Sequence, residues 1–288
     1  MRHSLVQPFG ERKLTLICDP AQDLIIAHTA YEPLSETFPT RYVQKTYMAN
    51  LLSQISKAND SVLSKLRISQ EHNLPIPLQA NLSLSGLASL GVSDPEIAWP
   101  VFQALWTELT TSSSRRPPIL ISLDGLAHIS RFSEYLAPSM HFIHAHDLAL
   151  VHHFMSYLSG TRSLPNGGLV LAADSNSNRP STPALDLAIR QNEARQAAAA
   201  PDAADPPMHD PENPYMSIDD RTLLALRGVD VMRLKGFTKD QARAVMEYYA
   251  KSGMLRQTVT ERLVSDRWTL AGGGVVGELE RATLKMGL

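Results

Sequence analysis

The segment Ile119-Leu-Ile-Ser-Leu-Asp124 carries the clearest strand signal in the chain. Its apolar run is interrupted only by a serine and ends in an acidic residue followed by glycine. A short apolar run that ends in a polar turn is typical of a parallel strand that is covered on both faces. The same pattern recurs in Leu14-Thr-Leu-Ile-Cys18 and in Leu169-Val-Leu-Ala-Ala173. We therefore predict three buried parallel strands.

Segments with helical periodicity separate the three runs. Helices are predicted from Tyr42 to Leu66, from Asp94 onward and from Asp147 to Leu158. Asp94 is predicted as an N-cap, because the proline that follows it is favoured at the first helical position. Gly160 is predicted as the C-cap of the helix that ends at Leu158. Strands that alternate with helices indicate an α/β domain with a parallel sheet, and we assign residues 1–196 to it.

The pattern changes after residue 196. Residues 197–216 are rich in alanine and proline, acidic and almost without large apolar groups, so we predict a disordered linker there. Residues 217–288 are predicted to form a helical C-terminal domain, a lid on the α/β domain. Within this domain Thr238 and Gln241 have the spacing of a capping box, and Gly272-Gly-Gly274 indicates a turn before the last helix.

Charge and cysteine content limit the classes of function. The formal net charge is −2 overall, −5 over residues 1–216 and +3 over residues 217–288. Nucleic-acid contact is therefore expected to be modest and to fall on the C-terminal part, and protein partners are at least as well supported. The single cysteine excludes a disulfide framework. No apolar run approaches the roughly 20 residues that a membrane-spanning helix needs.

Two polar positions follow predicted strands and are candidate site residues. Asp124 stands where a nucleotide-hydrolysing fold places a magnesium-binding carboxylate, although Asp-Gly after a strand is also an ordinary turn. Ser175 and Asn176 follow the third strand, where a polar side chain can contact a terminal phosphate or can cap the next helix, the interpretation that we favour. The sequence contains no Gly-Lys dipeptide, so it has no phosphate loop of the form G-x-x-x-x-G-K-[ST].

Histidines cluster between residues 141 and 153, at His141, His144, His146, His152 and His153, with Asp147 among them. Such a cluster can bind a metal ion, but it is more often one loop and one helix face with ordinary hydrogen bonds. We assign neither a metal site nor a catalytic residue. A hydrolase elbow, G-x-S-x-G, does not occur in the sequence.

Eight long stretches, in order along the chain, carry a family resemblance. They are AQDLIIAHTAYEP (21–33), YMANLLSQISKANDSVLSKL (47–66), DPEIAWPVFQALWTEL (94–109), RPPILISLDGLAHI (116–129), IHAHDLALVHHFMSYLSG (143–160), LPNGGLVLAADSNSNRPSTPALDLAI (164–189), LKGFTKDQARAVMEYYAKSGMLR (234–256) and SDRWTLAGGGVVGELERATLKM (265–286). With these stretches the chain resembles the death-associated protein 3 family, and within it the fungal mitochondrial ribosomal branch. The resemblance extends from about Cys18 to the C-terminus, except for the linker.

The resemblance implies an AAA-like P-loop NTPase-type fold with a helical lid. It also implies a structural, non-catalytic role in the head of the mitochondrial small ribosomal subunit, in the matrix. The partners would be neighbouring ribosomal proteins and, to a limited extent, small-subunit rRNA, with no membrane. By position Asp124 would be the magnesium-side carboxylate, and Ser175 or Asn176 the sensor-like residue, for a bound GTP or ATP with Mg²⁺.

The chain departs from the family pattern at its start. Thirteen residues precede Leu14, where the family would have a targeting segment, the first strand and the phosphate loop. A nucleotide is expected only if the full-length protein has that loop, and without the first strand the edge of Leu169–Ala173 would be apolar and unpaired. An incomplete gene model explains this better than a shortened paralogue does.

Two other functions are kept as alternatives. The first is an AAA-like GTP- or ATP-binding switch NTPase that uses Asp124. The second is a winged-helix-like nucleic-acid-binding regulator that acts through residues 217–288.

Overall fold

In a computed structural model of the chain, the described residues are 14–18, 21–35, 38–113, 116–175, 179–197 and 218–285. They form two compact units, of which the first extends to Asp230 and the second begins at Val231. The predicted linker, apart from Ala197, lies outside the described residues, as do residues 1–13. None of the helices within the described ranges has the length and apolar content that crossing a membrane requires.

The first unit is mixed α/β. Its described strands are β1 (Leu14–Cys18), β2 (Glu32–Ser35), β3 (Phe38–Val43), β4 (Ile119–Asp124), β5 (Phe132–Leu136), β6 (Phe142–His144) and β7 (Gly168–Ala173). Its described helices are α1 (Lys45–Ala58), α2 (Asp60–Leu63), α3 (Leu84–Ser93), α4 (Ala98–Thr110), α5 (Leu126–Ile129), α6 (Ala149–Leu158), α7 (Pro183–Ala197) and α8 (Asp220–Leu226). Short 3₁₀ helices cover Ala21–Leu24, Pro95–Ile97 and Ala145–Asp147.

The main sheet has three parallel strands in the order β1-β4-β7. Strand β4 is central, and Ile121 pairs with Leu16 on one side and with Val170 on the other. All three predicted strands are confirmed, with their bounds within one residue of those expected. The mixed α/β class with a small parallel sheet is also confirmed.

Coverage of the sheet differs from the prediction. On one face Ile119, Ile121 and Leu123 are buried, with at most 2% of each exposed. On the other face Leu169 and Leu171 of β7 are 49% and 46% exposed. Within the described part of the chain β7 pairs with β4 alone, so it is an edge strand. The prediction that the strands are covered on both faces is therefore wrong for β7, whereas the prediction of an unpaired, apolar edge at Leu169–Ala173 agrees with the described residues.

Helices α1, α3 and α4 pack against one another and contribute much of the core. The helix predicted over residues 42–66 is shorter, because its first residues belong to β3 and because the backbone leaves the helical conformation at Asn59, whose side-chain amide donates to the carbonyl of Ile55. The proposed N-cap before α4 is confirmed, since the Asp94 side chain accepts a hydrogen bond from the N–H of Glu96. That cap begins a 3₁₀ turn, and α4 follows at Ala98.

Two antiparallel hairpins, β2–β3 and β5–β6, were not predicted from the sequence. Both are short and both have an irregular register. In β5 the side chains of Ser133 and Tyr135 are buried, whereas Phe132 and Glu134 are exposed. This period of two is the signal that could have revealed the strand.

Helix α8 belongs to the first unit, so the second unit begins later than the predicted residue 217. Leu223 and Leu226 of α8 are buried in the main core. Asn192 of α7 donates to the carbonyl of Leu226 at 2.8 Å and accepts from the N–H of Gly228 at 3.1 Å. These contacts hold α8 against α7 and place the change of unit after α8.

The second unit is helical, with α9 (Lys239–Lys251), α10 (Glu261–Leu270), α11 (Val276–Glu280) and a π-helical turn over Arg281–Lys285. The predicted capping box is confirmed, since both hydrogen bonds between Thr238 and Gln241 are present. The predicted glycine turn is also confirmed. A Cβ on Gly274, whose φ is +84°, would meet the carbonyl oxygen of Phe237 at 2.3 Å, so only glycine fits there.

A buried carboxylate joins α4 to the segments on either side of it. Glu108 is fully buried and forms an ion pair with Arg116, whose side chain is 7% exposed. Its carboxylate also accepts hydrogen bonds from the N–H and hydroxyl of Ser69, and it contacts His72 Nε2 at 2.9 Å. Burial acts to raise the pKa of Glu108, but the hydrogen bonds from Ser69, His72 and Gln70 outweigh it and lower that pKa.

Replacing this carboxylate should destabilise the first unit. In Glu108→Ala the buried guanidinium of Arg116 loses its counter-charge, which typically costs about 3–5 kcal/mol. Urea unfolding followed by circular dichroism would measure the loss. Glu134→Ala, which removes an exposed carboxylate, is the control and should change the unfolding free energy by less than about 0.5 kcal/mol. Equal losses in the two variants would contradict a structural role for Glu108.

Candidate functional site

The carboxyl edge of the main sheet brings two of the predicted site residues to neighbouring strand ends. Asp124 is the last residue of β4 and pairs in register with Ala173, and Ser175 follows two residues later. Gly125, with a φ of +86°, turns the chain away from the sheet, and its N–H donates to the carbonyl of Ala173. Asn176 lies outside the described residues.

The Asp124 carboxylate is exposed and forms no ion pair or hydrogen bond with the described residues. A carboxylate at the end of a central parallel strand, with no competing partner, suits a magnesium ligand. The nearby Asp174 is engaged differently. Arg179 bridges Asp174 at 3.1 Å and Asp186 at 2.7 Å, and so joins the end of β7 to α7. Burial acts to lower the pKa of Arg179, but its bonds to Asp186 and Asp174 raise it overall.

The histidine cluster is divided among several environments. Within the described ranges no group of three or more His, Cys, Asp and Glu side chains is arranged to hold a metal ion. His153 lies on α6 with its ring 4.7 Å from the ring of Trp106. Burial, followed by the charge of Arg162, lowers the pKa of His153 to about 3, and burial likewise lowers the pKa of His146 to about 4. Both imidazoles are therefore neutral at pH 7.

His144 connects the loop before α6 to the start of α8. Its Nε2 lies 3.0 Å from Asp219 Oδ2, and its Nδ1 accepts a hydrogen bond from the N–H of His146. Burial outweighs the charge of Asp219 and lowers the pKa of His144, so the ring is neutral and Nε2 carries the proton that is donated to Asp219. Asp219 also caps α8 by accepting from the N–H and hydroxyl of Thr222. Both ring nitrogens of His144 are thus used in structural bonds.

The fold and the ordered sequence stretches agree with a family comparison. The model of the family described as "Mitochondrial ribosomal death-associated protein 3" matches residues 1–282. The chain belongs to this family. The resemblance drawn from the sequence is confirmed.

Two fungal relatives of this member of the mitochondrial ribosomal death-associated protein 3 family have curated names. The "Small ribosomal subunit protein mS29" of Neurospora crassa is 44% identical over 266 residues, which are 92% of this chain and 55% of the relative. The protein of the same name from Schizosaccharomyces pombe is 28% identical over 238 residues, 81% of this chain and 45% of the relative. The chain spans about half the length of the curated relatives that it matches.

One group of residues that lines a cavity was not predicted from the sequence. Arg41 of β3, Trp99 of α4 and Arg162, which follows α6, line one cavity in the first unit. They are separated by more than fifty residues at each step, and no local motif connects them. Only the packing of β3, α4 and α6 brings them together.

The buried neutral histidines should make the stability of the first unit depend on pH. An unfolded histidine has a pKa near 6.5, whereas those of His146 and His153 are lower in the folded state. The unfolded state therefore binds protons first, and the free energy of unfolding falls as the pH drops below about 6.5. By linkage, each such group contributes a loss of about 2 kcal/mol at pH 5.

This dependence can be assigned to His153 by comparing urea unfolding at pH 7 and pH 5. His153→Phe keeps a planar ring against Trp106 but does not titrate, so it should lose less stability on acidification than the wild type does. His141→Gln, which replaces an exposed histidine, should behave like the wild type. The same loss on acidification in His153→Phe and in the wild type would show that His153 does not contribute.

Proposed function

We propose that the chain is a structural constituent of the mitochondrial small ribosomal subunit and performs no catalysis. The observation that carries this proposal is the family match over residues 1–282, together with 44% identity to a relative that is named as a small ribosomal subunit protein. The charge balance supports it, because a net charge of −2 suits a protein held chiefly by protein neighbours better than one that coats RNA.

The proposal includes a place and a set of partners. The protein would reside in the mitochondrial matrix, bound in the head of the small subunit, with neighbouring ribosomal proteins as its main contacts. Limited rRNA contact is best supported for the second unit, because residues 231–288 carry a net charge of +4. Two of the basic residues are paired within the unit, Arg243 with Glu261 and Arg281 with Glu278, and the net charge of +4 already includes these two acids.

Sedimentation of a mitochondrial lysate through a sucrose gradient tests the structural role. The full chain, detected with an antibody, should co-migrate with the small subunit and remain there at moderate salt. Asp124→Asn should co-migrate to the same extent, because the structural role does not depend on a metal-binding carboxylate. A signal confined to the light fractions would reject the proposal.

The first alternative, a GTP- or ATP-binding switch NTPase, is favoured by the accessible carboxylate at the end of β4. A nucleotide with Mg²⁺ would be held by Asp124 on the magnesium side, with Ser175 or Asn176 near the terminal phosphate. The ion would supply the charge that stabilises a leaving phosphate. The sequence contains no phosphate loop of the form G-x-x-x-x-G-K-[ST], so these roles remain predictions.

Turnover by the purified full chain separates the two functions. We expect hydrolysis of GTP and ATP with Mg²⁺ to be no faster in the wild type than in Asp124→Asn. Glu134→Gln is the matched control, since it neutralises an exposed carboxylate on β5. A switch NTPase would instead show turnover that falls about 100-fold in Asp124→Asn and stays unchanged in Glu134→Gln.

The second alternative, a winged-helix-like regulator, is less well supported. The helix that contacts the nucleic acid in such a regulator would need a dense basic face. In α10 Arg262 stands beside Asp266 at 4.0 Å, one turn apart, so acidic and basic groups share the exposed surface of that helix. The mixed charges suit a helical lid domain better than a duplex-reading surface.

A further inference from the structure

A cavity of about 240 Å³ lies in the first unit where β3, α4 and α6 meet. Its lining includes Arg41, Trp99, Gln103, His153 and Arg162. The volume is below the roughly 300–1,000 Å³ of sites that enclose a whole cofactor, so the cavity suits a single side chain or a group of similar size. All of the lining residues belong to the first unit and are separate from the carboxyl edge that holds Asp124.

Two guanidinium groups give the cavity its charge. Among the described residues neither Arg41 nor Arg162 has a carboxylate within ion-pair distance. Asp147 is the acid whose charge acts on Arg41, but it is bonded to Arg221 at 2.8 Å. Burial lowers the pKa of Arg41, and it remains a cation because arginine titrates far above neutral pH.

The other titratable groups in the lining add no charge at pH 7. Burial, together with the charge of Arg162, lowers the pKa of His153, and burial followed by the charge of Arg41 lowers that of His152. The lining contains no acidic residue. The cavity therefore presents two permanent positive charges on apolar walls, which complements one anionic group on an apolar stem.

The aromatic wall of the cavity is the side chain of Trp99, and its ring nitrogen has no hydrogen-bond partner within the described residues. Trp99 is 9% exposed, its ring stacks on Phe102 with centroids 5.7 Å apart, and its Nε1 has no hydrogen-bond partner in the described structure. The Nε2 of His153 is in the same state. A buried N–H without an acceptor is unfavourable, so these two residues leave hydrogen-bonding capacity unused beside the cavity.

The charge of the surroundings favours a carboxylate over RNA. Residues 1–230, which include the first unit, carry a net charge of −6, of which −4 comes from residues 198–217, and a net negative charge disfavours the run of phosphates that an RNA strand brings. A single Asp or Glu brings one charge, and its methylene stem can lie against Trp99. Tryptophan and arginine are also the residues that most often dominate the binding energy of protein interfaces.

We propose that this cavity receives an aspartate or glutamate side chain of a neighbouring protein in the small ribosomal subunit, with Arg41 and Arg162 binding its carboxylate. This inference rests on the proposed function, which supplies the neighbour. It identifies the face between β3, α4 and α6 as a protein interface and the two arginines as its anchors.

Zero-length cross-linking tests the chemistry directly. A carbodiimide joins an amine to a carboxylate with loss of water and does not act on a guanidinium. The full chain with Arg41→Lys keeps the positive charge and introduces an amine in the cavity. In purified small subunits, mass spectrometry should find an amide bond between position 41 and an Asp or Glu of another ribosomal protein. Arg67→Lys, at an exposed position outside the cavity, should not join to that same carboxylate.

A second measurement reports the strength of the contact. In the Arg41→Gln/Arg162→Gln double variant the fraction retained on the subunit after a salt wash should fall about fivefold, as expected for the loss of two partly exposed ion pairs. Arg67→Gln should be retained like the wild type. Because neither cavity arginine is paired within the described structure, the double variant should keep the urea midpoint of the wild type.

Three outcomes would overturn the inference while the protein still sediments with the small subunit. They are cross-links from position 41 to Asp147 of the same chain only, ultraviolet-induced cross-links from the cavity peptides to rRNA without any carbodiimide product, and unchanged retention of the double variant. Failure of the wild type to sediment with the small subunit would reject the proposed function, and this inference with it.

Discussion

The pairing of β4 on both of its edges is the constraint on which the first unit depends. Its partners β1 and β7 are parallel to it, and parallel strands cannot be joined by a tight turn. The chain must therefore leave the sheet and return between β1 and β4, and again between β4 and β7. The first crossing contains α1 to α4 and the second contains α5 and α6; of these helices, α1 packs against β1 and α6 against β7.

The sequence predicted what depends on short-range pattern. The three apolar runs identify the sheet, and the caps at Asp94 and Thr238 mark helix starts, because each signal lies within a few residues. The hairpins β2–β3 and β5–β6 were missed, because β2 and β6 have only four and three residues and the end of β3 lies in the segment that was predicted as a helix. The assignment of α8 to the first unit was also missed, since it depends on Asn192 and His144, which lie far from α8 in sequence.

The candidate site at the carboxyl edge of the sheet was likewise predicted from the sequence only in part. That Asp124 and Ser175 lie at adjacent strand ends follows from the rule that the carboxyl ends of parallel strands share one edge. Whether a carboxylate there acts on a nucleotide depends on which groups face it, and Arg179 already engages the neighbouring Asp174. The cavity between Arg41 and Arg162 was beyond prediction, because its residues come from three elements that meet only in the folded chain.

Asp124 and the two cavity arginines, Arg41 and Arg162, differ in their surroundings. Asp124 closes a strand and precedes a turn that requires only Gly125, so its carboxylate has no role in the local structure of the described residues. Arg41 and Arg162 line one cavity, and neither has a carboxylate partner within the described residues. A structural protein in a crowded particle obtains specificity from such unmatched groups, because each one favours the neighbour that completes it and disfavours the others. For a mixed α/β unit with the structural role that we propose, the residues that select partners are therefore expected on the faces of the unit as well as at the edge of its sheet.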